Sequence, residues 1–245
     1  MANWSDPRSG VAGYGNATTA RGEAFDAGLR RYMLSVYNYM ASGVLLTGIV
    51  ALLFASSGLA YQILAGPGIL KYIIMFAPLA FVMVLSFGIN RLSTVTAQAL
   101  YWVYAAVMGL SLSSIFLVYT GTSIAQTFFA TAAAFAGLSL WGYTTKKDLS
   151  GFGTFLIMGV VGLLVASLIN LFLRSSAMDL VISFLGVLLF AGLTAYDTQK
   201  IKSIYAHVAG TDMMGKSVVM GALNLYLDFI NMFLFLLRFM GGSRD

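Results

Sequence analysis

The chain has 245 residues, 59% of them hydrophobic and only 9% charged, with a mean hydropathy of +0.86. A soluble domain carries roughly 25% charged residues, so this composition excludes one and describes an integral membrane protein. The lack of cysteine excludes disulfides and thiolate metal sites, and the net charge of +5 is scattered over segment ends without the single basic patch that nucleic-acid binding needs.

Residues 1–30 hold Pro7, five glycines and mixed charges, without an apolar core or a small-residue cleavage pattern. They read as a flexible N-terminal tail with no cleaved signal peptide. The acids Asp6, Glu23 and Asp26 argue against a mitochondrial presequence. The remainder, residues 31–241, reads as one seven-helix transmembrane domain.

Seven apolar runs follow, over residues 32–54, 72–88, 98–119, 122–143, 153–173, 179–204 and 217–240. Each is long enough to cross a hydrocarbon core of about 30 Å at ~1.5 Å per residue, and uninterrupted runs of this length predict helices rather than the alternating strands of a barrel. The third and fourth are separated by Thr120 and Gly121 alone, which predicts a tight helical hairpin. Of the fourteen lysines and arginines, ten fall on one side if the N-terminus is cytoplasmic. This predicts an N-inside topology with Asp245 outside. The fold class is therefore all-α, a seven-transmembrane-helix bundle.

Two aspartates interrupt the apolar runs. Asp228 lies near the middle of the last one, and Asn224, Asp228 and Asn231 stand at i, i+4 and i+7, on one helical face. Asp197 lies in the sixth, in GLTAYDTQKIK, flanked by Thr194 and Thr198. An ionisable group at membrane depth costs at least about 2.5 kcal/mol, so both acids should face the protein interior. Asp197 is eight residues before Tyr205 and Asp228 eleven after Ser217, giving depths near 12 and 16 Å on antiparallel neighbours.

If the two carboxyls meet in a low-dielectric site, they cannot readily ionise together and share one proton. Losing that proton substitutes repulsion for a hydrogen bond, which makes the pair a pH-sensitive latch between the last two helices. Once ionised, the same oxygens are hard ligands of the kind Ca²⁺ accepts, so Asp197 and Asp228 are also the candidate calcium contacts. Arg91, at the end of the second run, is the candidate cationic latch partner, and Asn224, Asn231, Thr194 and Thr198 are candidate polar support. The plainer reading gives each acid a hydrogen bond to Asn, Ser or Tyr of a neighbouring helix. His207 sits beside Lys200 and Lys202 in a polar stretch and reads as solvated, and Arg238 as a snorkelling interface anchor.

Several runs carry a family resemblance: TTKKDLSGFG at 144–153, GLTAYDTQKIK at 192–202, LYLDFINMFLFLLRFMG at 225–241 and GLSLSSIFLVYT at 109–120. They closely resemble the bacterial branch of the Bax inhibitor-1, or transmembrane Bax inhibitor motif, family. The resemblance implies two three-helix layers around a central C-terminal helix, in the bacterial inner membrane. It also implies a non-enzymatic, pH-dependent calcium leak switched by the aspartates matching Asp197 and Asp228, with the basic latch mapping to Arg91. No cofactor is expected, calcium being the transported ion, and the expected partners are the lipid bilayer, calcium and protons. Association with a membrane-anchored AAA protease is a further implication, so the first rival reading is a regulator of a membrane partner that conducts nothing. The second rival is an intramembrane aspartyl protease, since two aspartates on adjacent helices can share a catalytic proton. Asp228 sits in LYLDF, however, without a GxGD setting, and no PAL sequence follows.

Overall fold

In the computed structural model, which describes residues 11–89 and 91–242 and the side chains from Glu23 onward, the chain is helical, with no strand among the described residues. The helices are α1 (Val11–Ser56), α2 (Leu70–Gly88), α3 (Thr94–Leu112), α4 (Ile115–Val118), α5 (Gly121–Thr144), α6 (Ser150–Leu173), α7 (Ser176–Val208) and α8 (Met213–Met240). A π-helical turn, Tyr61–Ala65, lies between α1 and α2. Hydroxyl side chains start three of them: Ser93 accepts from the Thr96 N–H, Thr120 from Ser123 and Ser175 from Met178. Among the described residues, seven helical spans are long and apolar enough to cross a membrane, with α3 and α4 together making the third, Thr94–Val118.

The bundle is built around α8. It packs against α1, α3, α5 and α7, and 67% of its most apolar window is buried against 28% or less in every other span. Leu223, Leu225, Tyr226, Met232 and Leu237 are almost fully enclosed. On one side α1 packs on α3 and α3 on α2; on the other α5 packs on α7 and α7 on α6. The outer helices α2 and α6 are each only 11% buried in that window. Their exposed Leu, Ile and Phe side chains form the apolar surface a bilayer solvates.

Two expectations are corrected. The flexible tail expected over residues 1–30 is helical from Val11, while residues 1–10 lie outside the described residues. Phe25 meets the Tyr205 ring at 5.1 Å, Gly28 lets the Tyr205 hydroxyl lie against the α1 backbone, and Leu29 is buried. This docking onto the end of α7 outweighs the unfavourable helix propensity of the glycines, roughly 1 kcal/mol each. The third span, expected as one helix over 98–119, breaks after Leu112. There the Ser113 and Ser114 hydroxyls donate to the Leu110 and Ser111 carbonyls, competing with the helical ladder. The tight join between the third and fourth spans is present, with Thr120 capping α5.

Candidate functional site

Asp197 comes from α7 and Asp228 from α8, and the antiparallel packing of these neighbours brings the two carboxyls within hydrogen-bonding reach of one another. Such a contact holds only when one carboxyl carries a proton, because an ionised carboxylate is an acceptor only. Asp228 is 4% exposed, and its Oδ2 is met by no hydrogen-bond donor among the described residues. Asp197 is half-buried, with Lys200 close enough to act on its charge. Helices α7 and α8 also approach closely where Gly221 faces Ile201, one turn along α7 from Asp197 and two turns along α8 from Asp228, and a Cβ there would already lie 3.3 Å from the isoleucine. On the other side of α7, Gly142 of α5 lies against the Ala195 backbone, leaving no room for a Cβ.

The site's polar frame is largely made of residues the sequence did not single out. Tyr37 of α1 and Ser139 of α5 share a 2.6 Å hydroxyl contact, and Ser139 continues to Thr198 of α7 at 2.9 Å. This chain of hydroxyls joins three helices and ends on the residue after Asp197. On the opposite side of α8, Tyr226 meets Thr47 of α1 at 2.6 Å, and Thr47 donates to the Ala105 carbonyl of α3 at 2.8 Å. Tyr104, also buried, packs its ring on Tyr226 at 5.3 Å. The hydroxyls gave no periodic signal in the sequence; their one trace is that Ser139, Thr198 and Thr47 fall on the buried faces of their helices.

Among the described residues, none of the expected support residues hydrogen-bonds to the acids through its side chain. Thr194 donates to the Phe190 carbonyl and Asn231 to the Leu227 carbonyl, each one turn back on its own helix. Thr198 bonds to Ser139, and Asn224 is half-buried without a side-chain hydrogen bond to a described residue. Arg91 is exposed in the turn between α2 and α3, and the one ion pair among the described residues joins Arg238 to Asp179 at 3.6 Å. Arg91 therefore does not latch the pair in this conformation. Arg238, expected as a lone interface anchor, instead pairs across the ends of α8 and α7. No third acid or histidine joins the aspartates among the described residues, so the pair by itself falls short of the six to eight oxygens of a calcium cage.

Comparison with known proteins agrees with this architecture. The profile of the family described as "Inhibitor of apoptosis-promoting Bax1" matches residues 29–245. The chain is 50% identical over 229 residues to the Rickettsia prowazekii protein RP147, covering 93% of this chain and 96% of that one. It is 47% identical over 220 residues to the inner membrane protein YbhL of Escherichia coli, covering 89% and 94%. A Caulobacter vibrioides protein is 48% identical over 232 residues. A seven-helix bundle built on its C-terminal helix, with a family match over all seven spans, makes this chain a member of the Bax inhibitor-1 family of membrane proteins.

Proposed function

We propose that this protein is a non-enzymatic, pH-sensitive calcium leak of the bacterial inner membrane, with its N-terminus cytoplasmic, gated by the proton that Asp197 and Asp228 share. The observation that carries the reading is the mutual approach of two carboxyls from consecutive helices, one of them almost fully enclosed. With the proton in place, a hydrogen bond ties α7 to the central helix. Without it, two anions in a low-dielectric site repel, and the helices gain a reason to separate. Separation exposes two hard oxygen ligands along the axis of the bundle, which suits a passing divalent cation better than a stored one.

The test is calcium efflux from proteoliposomes holding the purified protein, measured across about pH 5 to 8, the range over which a shared proton is useful. Wild type is expected to conduct with a rate that depends on pH. Asp197→Asn and Asp228→Asn each leave a neutral hydrogen-bonding side chain and are expected to flatten that dependence. Undiminished pH dependence in both variants would remove the latch, and absence of efflux from the pure wild-type protein would favour a regulator that acts through a partner.

A further inference from the structure

Helices α1 and α5 both lie on α8 but leave a seam between them, closed at one level by the Tyr37–Ser139 contact. Along it runs a cleft of about 830 Å³ with Phe135 and Phe229 at its floor and Leu34, Leu45, Ala136 and Leu140 at its open edges. A second cavity of about 320 Å³ shares Val44, Phe128 and Phe229 with the first and carries the seam on towards α4. The first cleft follows α1 from Arg30 to Leu45, about 22 Å of helix at ~1.5 Å per residue. Its edges lie on a membrane-spanning face, so what enters from the side is what the bilayer holds at that depth.

The lining is charged at one end only. Arg30 is exposed there and makes no ion pair among the described residues. Tyr143 lines the same end, and Lys202 stands 4.8 Å from its ring centre while donating to its carbonyl at 2.8 Å. Two cations thus border the end of the cleft, and its length toward Phe128 holds aliphatic and aromatic carbon. A basic rim leading to an apolar trough between transmembrane helices is complementary to an anionic amphiphile whose head stays at the interface and whose chain enters the protein.

We propose that this cleft is a binding site for one anionic phospholipid, its phosphate held by Arg30 and one acyl chain lying over Phe135 and Phe229. The site is independent of whether the protein conducts ions. It borders the aspartates all the same: Phe229 directly follows Asp228, and Ser139 on the cleft wall bonds Thr198, next to Asp197. The lipid would therefore pack against α8 beside Asp228 and reach α7 only through the Ser139–Thr198 contact.

The experiment is native mass spectrometry of the detergent-purified full chain titrated with phosphatidylglycerol, phosphatidylcholine or oleate. Wild type is expected to retain one phosphatidylglycerol in preference to phosphatidylcholine. Ala136→Trp, which fills the trough, is expected to lower that retention at least tenfold, with Leu140→Trp as a second filling variant should the first fold poorly. Val161→Trp, on the lipid-facing side of α6, serves as the control and should retain the lipid as wild type does. Arg30→Gln is expected to abolish the preference for phosphatidylglycerol while leaving weak binding of both lipids. Equal retention in the filled variants and the control would overturn the proposal, as would oleate displacing phosphatidylglycerol at equal concentration. Loss of a protein dimer in Ala136→Trp with lipid retention unchanged would assign the cleft to a second copy and overturn it equally.

Discussion

The Thr47 hydroxyl lies 2.6 Å from the Tyr226 hydroxyl and donates to the Ala105 carbonyl, so Tyr226 must supply the proton of their mutual bond. This contact ties α1, α3 and α8 two residues before Asp228, on the side of the central helix turned away from α7. It gives the central helix a fixed abutment, so that motion at the acids has to be taken up elsewhere.

Removing one partner of this contact should have unequal effects. Tyr226→Phe leaves Thr47 bonded to Ala105 and is expected to lower stability by about 0.5–1 kcal/mol, near the average for interhelical hydrogen bonds in a bilayer. Thr47→Val strands the buried Tyr226 hydroxyl, while the Ala105 carbonyl keeps its place in the α3 ladder, and should cost about 1–3 kcal/mol. Thermal unfolding in a single detergent compares the two; equal losses would contradict the assigned donor direction.

A second expectation concerns Gly142, whose missing Cβ lets α5 lie on the Ala195 backbone two residues from Asp197. Gly142→Ala must push α5 from α7, because backbone cannot swing aside as a side chain can, and should destabilise by roughly 1–3 kcal/mol. Gly137→Ala, with nothing within 4 Å of its added carbon, should be neutral or stabilising by up to about 1 kcal/mol. Paired melting curves check this, and the reverse order of stabilities would refute the packing account.

A third lies outside the membrane, where the Asp148 carboxylate accepts from the Ser150 N–H at 2.9 Å just ahead of α6. Hydrogen bonding to the Ser150 side chain and backbone holds its carboxyl below the usual carboxylate range. A group with a depressed folded value stabilises above its unfolded value, about pH 4, and loses that contribution as pH falls through the folded one. Asp148→Asn should therefore match wild type at strongly acid pH and fall slightly below it near neutrality. A Tm titration reads the difference, and a gap that widens towards acid would have the wrong sign.

The seven spans were legible because their apolar runs are long and few charges fall within them, and the height of the two acids because α7 and α8 are continuous helices joined by a short turn. The enclosure of Asp228 was legible because a carboxyl at that depth has to be buried, whereas the central place of α8 came from the family resemblance. What stayed hidden depends on partners far away in sequence. Residues 11–30 read as a tail because their glycines disfavour a helix, and the contacts of Phe25 and Gly28 with Tyr205, far along the chain, left no mark in that stretch of sequence. Asn231 and Thr194 read as support for the acids because they share helical faces with them, yet each finds a nearer acceptor in its own backbone. Ser139 could not be told from an ordinary packing serine until Tyr37 and Thr198 stood on either side of it.

The proton proposed to lie between Asp197 and Asp228 is best sought directly. Infrared difference spectroscopy of the protein in bilayers, stepped across about pH 5 to 8, resolves the carbonyl stretch of a protonated carboxyl from that of a carboxylate. One such band is expected to titrate in wild type and to disappear in both Asp197→Asn and Asp228→Asn. A band that survives either substitution, or no titrating carboxyl band at all, would contradict the shared proton.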